Sequence, residues 1–303
     1  MRKSMPNPLV LMLFVVLVLS SCSIGSHLKK AVKVDDPFSA ENERNFSGMV
    51  VTFFSLPDGE STLIRLPGGK KLLVDTGSSE DAEVLRSLLE ERRVTKIDFV
   101  MLTNDQSAQA GGYAELAKTM QIDSVLLPKL TYATVLQAVP IQPDKKLVLL
   151  SAGDQYTLDE SVVLTVLNPS EPLFLSPQDN SIVFSLKQDK LHYLFTSGVG
   201  EKAEERLLDR YPQFLPAEVL KVADQGSNQA SSQPFLTKVD AQVAVIQTGK
   251  AFDQLKPGQA EIMERLGESW AETYVTSQRG TITVLSNGRE YKVIEVEKKP
   301  KGG

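Results

Sequence analysis

Side chains that make and break bonds at neutral pH are scarce in this sequence. Two histidines and one cysteine serve all 303 residues, which leaves little for imidazole bases, imidazole metal ligands or thiolate nucleophiles. His27 falls in a polar stretch near the N-terminus. His192 stands beside Tyr193 in a run of strand formers, where a packed or edge histidine is the expected role. Cys22 has no partner for an intrachain disulfide. Asp154 and Asp159 with Glu160 have the look of a paired-carboxylate set, but they flank the Ala152-Gly153 turn, so a solvated loop is expected. Tyr113, Tyr132, Phe174, Tyr211, Phe214, Phe252 and Trp270 could line a groove, although aromatics in a domain of this size mostly pack the core.

Composition narrows the class. With 42% hydrophobic and 23% charged residues the chain is globular and long enough to bury a real core. A net charge of -5 and a pI near 5.3 give no basic field for a phosphate backbone, so nucleic acid is not the default partner.

The N-terminus reads as an export signal. Arg2 and Lys3 precede an apolar run over residues 9–19, too short for a comfortable membrane span. The run ends in Leu19-Ser20-Ser21-Cys22, which resembles the lipobox of bacterial lipoproteins. That resemblance implies a signal peptide over 1–21, palmitate and other acyl chains on Cys22, and residence on the non-cytoplasmic side of the cell membrane or outer membrane. Each buried methylene of such an anchor adds about 0.8 kcal/mol. An ordinary cleaved signal or an uncleaved anchor is the alternative. Residues 22–47 are polar and aperiodic and read as a tether, whose Lys29, Lys30 and Lys33 could touch anionic head groups but more simply stay solvated. Residues 297–303 read as a disordered basic tail.

Between them, residues 48–296 alternate strand and helix patterns with no linker-like break, so one domain is expected. Residues 49–54, 62–66 and 71–75 are three antiparallel strands separated by the turn signals Pro57-Asp58-Gly59 and Pro67-Gly68-Gly69. Ser78 with Asp81 opens a helix whose Ala82, Leu85, Leu88 and Leu89 share a face. A strand is expected at 98–102, a helix at 110–120 and a strand at 124–127. Further strands are expected at 146–150, 162–167, 181–186, 191–195, 219–222, 241–246, 273–275, 281–285 and 291–296, with helices at 200–211 and 258–266. Sheets paired in the middle with helices outside is the natural packing.

Five motifs then fall in a familiar order. They are Phe53-Phe54-Ser55-Leu56-Pro57-Asp58-Gly59-Glu60 with Pro67-Gly68-Gly69, Leu72-Leu73-Val74-Asp75-Thr76-Gly77, Leu102-Thr103 with Gly111-Gly112, Leu220-Lys221-Val222-Ala223-Asp224-Gln225-Gly226-Ser227, and TSQRGTITVLSNG over 276–288. This series resembles the metallo-β-lactamase superfamily, in particular the hydrolase-like domain of the ComEC competence proteins, and covers nearly all of 48–296. The resemblance implies an α/β (α+β) fold, a four-layer αββα sandwich with two central mixed β-sheets.

The family's chemistry needs zinc, held by histidines and a bridging aspartate, to make hydroxide at neutral pH. Laid on the family loop, Asn104, Gln106 and Gln109 stand at its three histidine positions and Ala108 at its aspartate. Gly198 replaces the bridging aspartate, Asp224 and Gln225 replace the histidine pair, and Lys256 precedes Pro257 where a final histidine belongs. Carboxamides are weak ligands for zinc, and alanine and glycine offer none, so no catalytic residue, zinc or other tightly held cofactor is expected. Weak binding of magnesium or calcium by Asp75, Asp105 and Asp224, with help from Asn104 and Gln106, stays open. So does a Ser–Lys arrangement of Ser197 or Ser227 with Lys221 or Lys256. Two functions follow from different classes. One is a membrane-anchored binding or scaffolding lipoprotein with an unknown envelope protein as partner. The other is a phosphodiesterase- or nuclease-like hydrolase with a non-standard metal site, for which the ComEC resemblance would admit nucleic acid as substrate.

Overall fold

The computed structural model describes Phe38, Glu43, residues 45–252 and residues 257–296. Cys22, His27, most of the tether, Lys256 and the basic tail lie outside the described residues. The chain divides into two units, Met1–Asn42 and Glu43–Gly303, and every element below belongs to the second.

Strands β1 (Met49–Phe53), β2 (Thr62–Arg65) and β3 (Lys71–Val74) form the expected antiparallel meander. Alternation sets their faces: Met49, Val51 and Phe53 of β1 point to one core, while Leu73 of β3 points to another. Helix α1 (Ala82–Glu91) leads to β4 (Lys96–Met101), parallel to β3. The helix expected at 110–120 is instead two short ones, α2 (Ser107–Ala110) and α3 (Tyr113–Thr119). The break falls at Gly112, whose amide donates to the Gly77 carbonyl at 2.9 Å while the Ala108 carbonyl accepts from the Glu60 amide at 2.9 Å; both glycines lie hard against carbonyl oxygens. A Cβ on Gly112 would lie 2.3 Å from the Thr76 oxygen, and one on Gly111 2.6 Å from that of Ser107. Strand β5 (Gln121–Pro128), helix α4 (Tyr132–Ala138) and strand β6 (Lys146–Leu150) complete the first half, with β4, β5 and β6 parallel.

The second sheet starts with β7 (Gln155–Asp159), where a solvated loop was expected. Pairing with β8 (Val162–Asn168) outweighs its polar ends. The carboxylates there are structural: Asp159 accepts from the Gly68 amide at 2.9 Å, and Asp154 accepts from the Ser151 amide at 2.9 Å and the Tyr156 hydroxyl at 3.2 Å. Strands β9 (Val183–Gln188) and β10 (Leu191–Phe195) follow antiparallel. Helix α5 (Glu201–Arg210), strand β11 (Val219–Lys221), helix α6 (Gln233–Val239), strand β12 (Val243–Ile246), helix α7 (Pro257–Glu268) and strand β13 (Glu272–Val275) then run as parallel crossovers. After the single turn α8 (Thr276–Arg279), strands β14 (Thr281–Ser286) and β15 (Tyr291–Val296) return to the first sheet beside β1.

The sheets are therefore both mixed. The order is β15-β14-β1-β2-β3-β4-β5-β6 in one and β13-β12-β11-β10-β9-β8-β7 in the other. A central core fills the gap between them, where Phe184 stacks on Phe195 at 4.6 Å between ring centroids. A second core packs α1, α3 and α4 on the outer face of the first sheet, and a third packs α5, α6 and α7 on the second. This is the four-layer αββα sandwich. Trp270, in the turn between α7 and β13, is 92% exposed.

Candidate functional site

The parallel strands of both sheets end at one rim, where loops leave their carboxyl ends and ligands bind in sheets of this kind. Asp75 follows β3, Thr103 and Asn104 follow β4, Ser197 follows β10, Lys221 ends β11 and Gln247 follows β12. Opposite them, the loop between β1 and β2 brings in Glu60. Asp81 shapes that loop by accepting from the amides of Asp58 at 3.0 Å, Gly59 at 2.6 Å and Ser78 at 2.9 Å.

Glu60 and Lys221 form an ion pair at 2.5 Å with side chains only 2% and 5% exposed. Neither charge would survive such burial without the other. Both groups have further partners. Lys221 also donates to the Ser197 carbonyl at 3.2 Å, while Glu60 accepts from the Gln109 carboxamide at 3.0 Å and the Gln225 amide at 3.3 Å. Beside the pair, the Asp75 carboxylate accepts from the Thr103 amide and hydroxyl, both at 2.8 Å. A hydroxyl has one proton to give. Thr103 gives its own to Asp75, so Ser197 donates to Thr103 in turn, at 2.5 Å. Burial pushes the Asp75 carboxyl up to about 7. The Thr103 donors and Lys221 work against this rise, and Glu60 works with it. Asp224 is also raised, by burial and then by Glu60, with Lys221, Ser227 and Lys250 opposing. A cavity of about 10 Å³ between Glu60, Asp75, Ser197, Lys221 and Gln247 has room for about one water.

The rim backbone is strained where the family resemblance places small or liganding residues. Ser197, at a family glycine, has φ 49°, and Asp224 and Gln225 follow one another at 45° and 54°. Left-handed backbone of this kind costs an L-residue about 1–2 kcal/mol, and at these places the surrounding hydrogen bonds hold it.

Of the amides at the histidine positions, Asn104 and Gln109 turn to protein partners. Asn104 donates to the Ser181 hydroxyl at 2.9 Å and accepts from the Gln106 amide at 2.9 Å. Gln106 is half-buried at the start of α2, and the Ala108 carbonyl accepts from the Glu60 amide at 2.9 Å. The carboxamide oxygens of Gln109 and Gln225 are buried and meet no donor among the described residues. At Gly198 there is room, since a Cβ would come no nearer than 3.4 Å to the Asn104 amide. Asp75 and Asp224 share the field of Glu60 and Lys221, but Asp105 takes no part in this network. Among the described residues no group of three or more histidine, cysteine, aspartate or glutamate side chains could hold a metal ion. The donor chemistry of the rim does not match zinc.

Other candidates lie elsewhere. Lys221 meets the carbonyl of Ser197 rather than its hydroxyl, so these two do not make a Ser–Lys pair. The Ser227 hydroxyl accepts from the Gln229 amide at 3.2 Å. His192 sits near the start of β10, away from the rim, 3.8 Å from Glu218, and burial lowers its pKa. Tyr113 packs in a core, Tyr211 and Phe214 pack against one, Phe174 lies beneath Arg206 at 3.5 Å, and Tyr132 is exposed. Phe252 alone of the seven reaches the rim, in the wall of a groove of about 610 Å³ that Asp224, Gln225, Ser227, Asn228 and Lys250 also line. Glu60 went unnoticed in the sequence, although it ends the Pro57-Asp58-Gly59-Glu60 stretch where the resembling family carries an aspartate.

Comparison with known proteins agrees with this architecture. No family model matches the chain. ComE operon protein 3 of Bacillus subtilis is 23% identical over 260 residues, 77% of this chain and 32% of that protein. Competence protein ComA of Neisseria gonorrhoeae is 26% identical over 211 residues, 69% of this chain and 28% of that one. The chain thus spans about a third of the length of these relatives. Among solved structures, the metallo-β-lactamase fold protein YhfI of Bacillus subtilis superposes with a TM-score of 0.53 at 12% identity, over 78% of this chain and 99% of that one. CmlA, a diiron β-hydroxylase from Streptomyces venezuelae, gives 0.53 at 10% identity over 82% and 54%. At such identities structural likeness carries the fold and no activity.

Proposed function

We propose that this ComEC-like chain of the metallo-β-lactamase fold is a lipid-anchored binding or scaffolding protein of the cell envelope that has given up hydrolysis. One observation carries the reading: at the rim where the fold's enzymes bind metal, Asn104 and Gln109 are amides turned to protein partners, and the Glu60 carboxylate beside them is already neutralised by Lys221. A second cation placed there would meet an ammonium group and no imidazole. Support for the anchor comes from Cys22 behind its short apolar run; among the described residues no helix is long and apolar enough to cross a membrane.

Elemental analysis of the purified protein tests the first part, with no stoichiometric zinc, manganese or iron expected. A full equivalent of bound metal would end it. For the anchor, Cys22→Ser should move the protein from the detergent phase to the aqueous phase on phase separation; unchanged partitioning would count against acylation.

The placement of the Asp75 and Asp224 carboxyls around Glu60 at one rim favours a second reading, a hydrolase using a loosely held hard cation. It requires magnesium- or manganese-dependent cleavage of a phosphodiester that Asp224→Ala abolishes.

A further inference from the structure

A groove of about 610 Å³ opens beside Asp224 at the rim, a volume of the size that small-molecule sites have. Among the described residues that line it, the charges are one of each sign. Asp224 and Lys250 both line it. They are close enough for Lys250 to lower the Asp224 pKa, yet among the described residues no ion pair joins them. Two opposite charges facing one groove without touching leave a gap that a ligand carrying both signs would fill. One wall carries a chain of hydrogen bonds. Asn228 donates to Glu261 at 2.8 Å, and Glu261 is clamped by Arg265 at 2.5 Å. Gly226 keeps the floor close, because a Cβ there would sit 2.9 Å from Ile246.

Simple ions are poor occupants. An anion alone would answer Lys250 and not Asp224, and a cation alone would answer Asp224 and not Lys250. A neutral ligand could offer hydrogen bonds but no counter-charge to either group. We propose that this groove binds a small zwitterionic amino compound, an amino acid or a short peptide with free termini, its ammonium on Asp224 and its carboxylate on Lys250. Ser227 and Asn228 supply neutral hydrogen-bonding groups alongside. This inference rests on the reading of the rim as free of metal, and it gives that binding site a ligand class.

The test is calorimetric titration of the full-length protein in detergent with L-alanine and L-alanyl-L-alanine. Propionate and ethylamine serve as half-ligands carrying one charge each. At least one zwitterion should bind about tenfold or more tighter than either half-ligand, a difference of about 1.4 kcal/mol. Asp224→Asn should lose that advantage through the ammonium and Lys250→Gln through the carboxylate, each by about tenfold or more. Half-ligands that bind as tightly as both zwitterions, or no binding by any of the four, would overturn the proposal. So would folded variants that bind like the parent. The comparison of ligands on the parent protein decides the matter even if a variant fails to fold. Metal content measured on the same sample separates the two ideas: stoichiometric metal sinks the metal-free reading, whereas a metal-free protein indifferent to zwitterions sinks only this one.

Discussion

Asp75 holds its proton at a pH where an ordinary aspartate has lost it. Its carboxyl titrates near 7 in the folded protein against 3.8 in an open chain. The folded state therefore binds the extra proton between those values, and stability falls as pH rises from about 4 to about 7, by about 4 kcal/mol for a shift of this size. Asn tolerates the left-handed backbone at this position, where φ is 59°. Asp75→Asn should accordingly flatten the dependence of the urea midpoint on pH across that window and leave the variant more stable than the parent above it. A parallel pH profile for the two proteins would contradict this account. Asp75 was legible in advance because its Asp75-Thr76-Gly77 turn is a local motif. Glu60 was not, because its meaning comes from Lys221, 161 residues away, and no periodicity or spacing reports a contact that only the folded chain makes.

At the scale of elements, patterns were readable where one face alternates or repeats, as in β6, β10 and β15, whose ends fall where expected. Tertiary contact overruled local pattern elsewhere. The polar β7 is a strand because β8 pairs with it, and the helix after residue 106 breaks because the Gly112 amide and the Ala108 carbonyl bond to Gly77 and Glu60 and Gly112 lies hard against the Thr76 carbonyl. Short α4 and α6 were missed for a related reason: seven residues give too few turns for a helical period to stand out. The same close backbone contact governs Gly249, just beyond β12, where a Cβ would lie 1.7 Å from the Pro57 oxygen. That contact joins the β1–β2 loop to the second sheet. Gly249→Ala must push the loop away and should destabilise the protein by about 1–3 kcal/mol or more, displacing Glu60 with it. A thermal melt unchanged by this substitution would show that the loop gives way freely.

Across the whole molecule, Glu60 hangs from the first sheet and Lys221 from the second, so their bond fastens the two halves at the open rim. Removing one partner of a buried pair strands the other charge. Lys221→Met should cost about 3–5 kcal/mol, and adding Glu60→Gln to it should recover part of that loss. Denaturant titrations of the two single variants and the double variant measure the coupling directly; strictly additive losses would mean that the halves are held together elsewhere. The resemblance in the sequence carried the sandwich because five loops of a known fold stood in order. It did not carry this fastening, which depends on how the two sheets face each other.

The single tryptophan gives the molecule a built-in optical asymmetry. Because the Trp270 indole is already in water in the native state, its emission should be red-shifted before any denaturant is added and should barely move on unfolding. The same lamp becomes useful for a different question. Any partner that covers the turn between α7 and β13 would shift that emission to the blue against a quiet background.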